Sequence, residues 1–390
     1  MSSLHWSPAR REINCSVSIG LEIKGSLRVA PIRVGLVGLG EVAQSIHLPV
    51  LADQRDRWVI AGVHDVSPSL VALCTSEYPT AKAFETAEAL INSSDIDAVF
   101  VLSSDDTHSR FVRAAVAANK HILLEKPACL TVREIDELLA LTTNYAKTIF
   151  VGYMRRYAPA YLAARDELPA YADITHVRIF DLISEGRHFL KKSQDVLYPQ
   201  DIDPVLLAHG AKERDALIRE VVGADAPADL VRAYRGLTAL SSHHISAMRG
   251  LLGEPAGVIA AHRTNGGANT SVTFDYGHFA CCYDAVVDDL GLFDAMIEVR
   301  SNTRRVRIIY DTPYIRSLPT RLEVTDAGPL GPVTKSFGPL YGDAFSNELE
   351  IFHRHITDGT KPLTDLADSR RDLALMAEII ERMKATGGRA

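Results

Sequence analysis

An apolar run that ends at two glycines and turns at once into a helix leaves a chain few ways to fold. Residues 32–43, Ile-Arg-Val-Gly-Leu-Val-Gly-Leu-Gly-Glu-Val-Ala, have this form. Val34, Leu36 and Val37 predict a buried strand, Gly38-Leu39-Gly40 a turn, and residues 41–51 a helix. Gly38, Gly40 and Ala43 give the spacing Gly-x-Gly-x-x-Ala. At this spacing Gly38 permits the tight turn, Gly40 lets an anion approach the backbone, and Ala43 keeps helix and strand close. Glu41 and Val42 then open a helix whose free N–H groups suit a pyrophosphate. The same residues also fit a glycine-rich turn that binds nothing, so the rest of the chain has to decide.

Residues 58–63 predict a second buried strand, ending at His64-Asp65. Asp65 lies 25 residues past Gly40 (65 − 40), near the roughly 20-residue offset at which a carboxylate takes the adenosine ribose of a dinucleotide. A carboxylate there repels a 2′-phosphate, and no lysine or arginine follows within the next few residues. NAD is therefore favoured as cofactor, with NADP possible; the plainer alternative is a surface aspartate in a turn before Ser67-Pro68. Helical patterns at 70–78, 87–92, 109–119 and 131–141 then alternate with apolar strands at 98–102, 121–124 and 148–151. That alternation predicts an α/β fold, a doubly wound parallel Rossmann sheet over residues 31–151. Ligands of such sheets bind outside the carboxyl ends of the strands. Two polar loops fall there, Ser103-Ser104-Asp105-Asp106 and Glu125-Lys126-Pro127.

At 390 residues the chain needs a second domain, and from residue 152 the pattern changes. A helix at 158–168 and an alternating strand at 174–183 lead into a charged insert, 185–235, with Lys191-Lys192 and a helix at 205–222. An amphipathic helix at 237–252 stops at Gly253-Glu254-Pro255. Strand-like runs follow at 257–262, 270–276, 278–285, 295–300, 304–310 and 321–325, and helices at 345–355 and 366–383 close the chain. They predict a large, mostly antiparallel open sheet with helices on one face, in a C-terminal α/β domain over 152–364. The helix over 365–386 is expected to pack back on the first domain. Residues 1–30 read as an N-terminal extension: Arg10, Arg11 and several serines hint at a transit peptide, and Glu12 and Glu22 count against one.

Composition excludes several functions. Forty-two basic against 49 acidic residues give a net charge of −7, which offers nothing to nucleic acid. No apolar run nears the roughly 20 residues of a membrane span. Cys15, Cys74, Cys129, Cys281 and Cys282 are scattered and form neither a disulfide framework nor a zinc pattern. A reducing, cytoplasmic setting and no metal are expected.

Several further elements stand beside the glycine turn: His47-Leu48-Pro49, His108 17 residues before Glu125 (125 − 108), Lys120-His121, Glu125-Lys126-Pro127, Gly152-Tyr153-Met154-Arg155-Arg156-Tyr157 and Gly253-Glu254-Pro255. Together they resemble the glucose–fructose oxidoreductase/inositol dehydrogenase/MocA (Gfo/Idh/MocA) family over residues 31–386. The resemblance implies a small-molecule substrate and hydride transfer between a nicotinamide cofactor and a hydroxyl or carbonyl of a sugar, polyol or related molecule. It also implies a homodimer or higher homo-oligomer through the C-terminal sheet. It places the family's lysine at Lys126, where burial and a nearby cofactor cation would lower its pKa for acid/base work. The family's helical Asp-x-x-x-His falls on Ala239 and His243, so the imidazole is kept and the carboxylate is missing.

The cofactor would then contact Gly38, Gly40, Glu41, Val42, Asp65, Ser103, Ser104, His108, Glu125 and Lys126. Substrate would meet Tyr153, Arg156, His243 and His244, with Lys126 and His243 catalytic. Arg155 or Arg156 could clamp an anionic substrate or make interdomain salt bridges, and His108 could equally pack or cap. His353 and His355 read as surface or packing residues. Asp195, Tyr198 or His188 of the insert could replace the absent acid. Ala239 also leaves open an NAD-binding regulator without catalysis, or a redox-neutral NAD-dependent lyase or hydrolase.

Overall fold

The computed structural model describes residues 30–184 and 186–386. The expectations for residues 1–29, Cys15 and the transit-peptide features among them, lie outside the described residues. From Pro31 onward the chain forms one compact unit.

The first sheet contains β1 (Ile32–Val37), β2 (Trp58–His64), β3 (Lys82–Ala83), β4 (Ala98–Val101), β5 (His121–Leu124) and β6 (Ile149–Val151). Every pairing is parallel, in the order β3-β2-β1-β4-β5-β6. The order reverses between β1 and β4, which opens a crevice at the carboxyl ends of those two strands. All four residues of β4 are buried, as a strand covered on both faces requires. Short polar side chains start the covering helices where the sequence places them. Ser67 accepts from the Leu70 N–H at 3.2 Å. Thr131 and Glu134 form a reciprocal capping box that satisfies donors a helix start leaves bare.

The second sheet contains β7 (Ile174–Ser184), β8 (Gly257–Thr264), β9 (Asn269–Asp275), β10 (Ala280–Asp288), β11 (Phe293–Ser301), β12 (Arg304–Tyr310), β13 (Thr320–Asp326) and β14 (Val333–Leu340). Their order is β14-β13-β12-β11-β7-β10-β9-β8. Only the β7–β10 pairing is parallel among these described strands. Strand β14, nearly all exposed, and the helices Gly186–Ser193 and Ala228–Gly236 were not expected from the sequence.

One apolar core joins the two sheets. It runs from Val101 and Val151 through Ala247 and Met248 to Ile297, and includes Met376 and Ile379 of the helix Leu366–Thr386. That helix packs against the helix Val132–Leu141 and β6 on one side and β8 on the other. A second core, with Leu36, Trp58, Phe100, Phe150 and Phe352, fills the opposite face of the first sheet. Two helices each contain a π turn, Ala43–His47 after the glycine loop and Leu237–Ser241 in the second half. Cys74, Cys129, Cys281 and Cys282 are free thiols. No described helix is long and apolar enough to cross a membrane.

Candidate active site

Gly38 takes φ +99°, a conformation that disfavours any side chain. A Cβ there would lie 2.6 Å from the Ser103 backbone nitrogen and 2.7 Å from the Leu102 carbonyl. The turn after β1 is thus wedged against the end of β4. Gly40 is the opposite case: a Cβ built on it would meet nothing within 4 Å, so its face is open. Asp65, at the end of β2, accepts from the Leu39 N–H at 2.7 Å and the Ser67 N–H at 2.8 Å. It therefore locks the glycine turn and leaves lone pairs for ribose hydroxyls. An open glycine face beside a helix start, with a carboxylate at the next strand end, fits a dinucleotide.

The loops after β4 and β5 meet beside this turn. Ser103 Oγ lies 2.7 Å from Thr107 Oγ1. His108 is buried with its ring nitrogens 2.8 Å from the Pro127 carbonyl and 3.0 Å from the Ser103 carbonyl, so it ties the two loops together. Glu125 is buried, and its Oε1 lies 2.8 Å from His47 Nε2. Burial opposes its ionisation, yet the His47 bond and the Lys126 charge hold its carboxyl below the ordinary range. Lys126 stands at the head of this arrangement, partly exposed, and its Nζ donates to the Ala239 carbonyl at 2.6 Å. Burial pulls its ammonium below the usual lysine value, against the attraction of Glu125 and Asp105.

The acceptor of that bond sits inside the π turn Leu237–Ser241; such turns recur at functional sites because one added residue disrupts the regular hydrogen-bond ladder. Where the resemblance calls for a carboxylate, the structure supplies a backbone oxygen. Four residues on, His243 is partly exposed, and its Nδ1 is buried with no partner among the described residues. Desolvation, together with the charges of Lys126 and Arg155, drives its pKa well down and keeps the ring neutral.

Three of the residues expected at the substrate, His244, Tyr153 and Arg156, are packed against other charged side chains of the protein. His244 is fully buried, its Nδ1 2.7 Å from Asp181 Oδ2, and Arg155 bonds both His244 and Asp181. The Arg155 guanidinium also lies 5.2 Å from the Tyr310 ring centroid. Tyr153 is buried beside Asp372 and Asp368, which raise its phenol further than burial alone. Arg156 pairs with Asp368 at 2.5 Å on the helix Leu366–Thr386. Arg156 is thus engaged in an ion pair, because a carboxylate 212 residues away is folded onto it. Asp181 was missed, although a signal existed. It takes an inward position in β7 between Ile179 and Ile183, where strand alternation calls for an apolar residue.

The insert lies across the same crevice. Tyr198 donates to Glu41 at 2.7 Å, and Gln44 exchanges two bonds with the Leu197 backbone at 2.9 and 3.0 Å. Arg214, on the helix Pro204–Val222, pairs with Asp105 at 2.6 Å and Asp106 at 2.7 Å in the loop after β4. His188 is elsewhere, beside Lys192 and the Gly291 turn.

Residues 32–153 match the model of an oxidoreductase family with an NAD-binding Rossmann fold. The chain is similar to inositol 2-dehydrogenase from Acidothermus cellulolyticus, 33% identical over 138 residues, or 35% of this chain and 40% of that protein. The chain spans less than two thirds of the length of the first curated relatives it matches. Solved structures extend the likeness of fold beyond the Gfo/Idh/MocA match. A dehydrogenase from Clostridium difficile, 19% identical, covers 90% of this chain and 99% of its own with a TM-score of 0.67. A 3-ketoreductase from Actinomadura kijaniata, solved with NADP and TDP-benzene, is 18% identical, covering 92% of this chain and 98% of its own, with a TM-score of 0.66.

Proposed function

We propose that this protein is a dehydrogenase or reductase acting on a hydroxyl or carbonyl carbon of a polyol, sugar or related small molecule, with NAD as its cofactor. When bound, the nicotinamide supplies the hydride acceptor or donor. The observation that carries the reading is Lys126: a partly desolvated amine at the carboxyl end of a central strand, held at its Nζ by the Ala239 carbonyl. Its remaining hydrogen-bonding positions can meet a substrate oxygen. In oxidation it takes the hydroxyl proton as hydride leaves carbon, and in reduction it returns that proton. Neutral His243, with Nδ1 unengaged among the described residues, holds a second substrate oxygen and shares the acid/base work. Asp181, His244 and Arg155 fix the helix beneath it.

Glu41, Val42, the open face of Gly40 and Asp65 bind the pyrophosphate and ribose in this reading. Ser103, Ser104, His108 and Glu125 shape the nicotinamide end. The names of the relatives, inositol 2-dehydrogenase and 3-ketoreductase, support the substrate class. Two copies also pair through the open face of the second sheet. There Phe180, Leu182 and Met296 share a face with the Glu298–Arg307 ion pair. Sedimentation as a monomer at micromolar concentration would remove that pairing.

The test follows absorbance at 340 nm with NAD and a panel of inositols and sugars. Lys126→Ala should lower kcat by about 10²–10⁴-fold, the usual worth of a positioned acid/base, while calorimetry shows NAD still bound. Turnover at the wild-type rate in that variant would overturn the assignment. NAD binding without turnover on any substrate would favour the regulatory reading. Product without net NADH would favour the redox-neutral one.

A further inference from the structure

We propose that Asp201, carried by the insert and not by the Rossmann sheet, determines selection of NAD over NADP. The inference rests on the cofactor reading above and adds a residue to it. Dinucleotides with and without a 2′-phosphate differ only at the adenosine ribose, and that ribose belongs at the carboxylate ending β2. Here that carboxylate is Asp65. Immediately beyond it, Ser67 and Ser69 begin the helix Pro68–Glu77. Free N–H groups and hydroxyls at such a helix start are what a 2′-phosphate would use.

In this protein those donors are already taken. Ser67 Oγ donates to Asp201 Oδ1 at 2.6 Å, the Ser69 N–H to Asp201 Oδ2 at 2.8 Å, and Ser69 Oγ to Asp201 Oδ1 at 3.1 Å. Asp201 thus occupies, with its own negative charge, the position a phosphate would need. The Ser67 bond and the Ser69 bonds hold its carboxyl below the ordinary aspartate range, so it is ionised at neutral pH.

Two features make this a built contact. The segment that carries Asp201 is fastened on either side, by Leu197 and Tyr198 to Gln44 and Glu41, and by Arg214 to the loop after β4. The cationic partner that NADP sites place near the ribose is also absent from the contacts of Ser67 and Ser69 among the described residues. A 2′-phosphate would have to displace Asp201 and then face Asp65 with no arginine to offset the repulsion. Selectivity of this kind comes from a repulsive element set against the wrong ligand. Asp65 alone disfavours the phosphate; Asp201 removes its hydrogen-bond donors as well.

The experiment measures NAD and NADP dissociation constants by calorimetry on the full chain, for wild type, Asp201→Ala and Asp201→Asn. Asp201 is exposed, so neither change threatens the fold, and the asparagine keeps the shape while removing the charge. Wild type should bind NAD at least about 100-fold tighter than NADP, and both variants should narrow that ratio by about tenfold or more, chiefly by tightening NADP. NAD affinity should move by less than about threefold. An unchanged ratio in both variants, with NAD still bound, overturns the role of Asp201 and leaves the cofactor reading standing. Wild type that binds neither dinucleotide overturns the cofactor reading itself.

Discussion

Replacing Gly38 by alanine separates folding from binding at the glycine turn when it is set against the same change at Gly40. At Gly38 the backbone is at φ +99°, and holding an L-residue in the left-handed region costs about 1–2 kcal/mol. The new methyl would also lie 2.6–2.7 Å from three backbone atoms of Leu102 and Ser103. Ordinary contact needs about 3.5–4.0 Å, so the ends of β1 and β4 must separate by most of an ångström. Overpacking of that kind costs about 1–3 kcal/mol. The sum, about 2–5 kcal/mol, is a large part of the roughly 5–15 kcal/mol that holds a typical domain. At about 2–4 °C per kcal/mol it lowers the melting temperature by roughly 4–20 °C. Gly40→Ala meets no neighbour within 4 Å and needs no left-handed backbone. It should melt within about 2 °C of wild type, yet lose NAD affinity by tenfold or more, about 1.4 kcal/mol, because its methyl stands where the pyrophosphate approaches. Differential scanning fluorimetry and calorimetric titration read the two effects. A Gly38→Ala protein as stable as wild type, or a Gly40→Ala protein with undiminished affinity, would refute the reasoning.

Two further changes test the fold away from the cofactor. Arg249 is buried and pairs with Asp368 at 3.2 Å, Glu254 at 2.7 Å, and Asp372; Arg249→Met strands buried carboxylates and should cost about 3–5 kcal/mol in urea unfolding, and a loss below about 1 kcal/mol would show the cluster to be dispensable. His121 accepts the Thr148 N–H on Nδ1 at 3.1 Å, and burial, helped by Lys147, lowers its pKa from 6.5 to about 4. The folded protein therefore favours the neutral ring, so this stabilisation is complete above pH 6.5 and is lost as pH falls through 4. The melting temperature should drop over that window in wild type and drop less in His121→Asn, whose amide oxygen can still accept; parallel curves would overturn the assignment.

Much of the fold was legible because local signals and tertiary demand agree. Strands such as β1, β4 and β5 are apolar runs that a two-faced sheet buries almost whole, and Thr131 announces its helix as the N-cap. What escaped notice carries no local signal. Strand β3 has two residues, too short for any periodicity, and β14 is exposed along nearly its whole length, so no apolar alternation marks it. At the site, the setting of Lys126 is legible because Glu125 and Pro127 adjoin it in sequence. The partners of Tyr153 and Arg156 are not legible, because Asp368 and Asp372 lie on a helix more than 200 residues away. Asp201 was invisible for the same reason, at 132 residues from Ser69.

The π turn at Leu237–Ser241 makes the site depend on helical phase as well as on composition. A residue advances an α-helix by about 100°, so one deleted position in that turn would rotate everything after it by the same angle. His243 would swing away from Lys126 and Arg249 would leave its carboxylates, with almost no change in amino-acid content. Single-residue deletions in this turn should therefore be far more damaging than substitutions at the same positions. The spacing between lysine and histidine is held by a count of residues, which no choice of side chain can restore once it is lost.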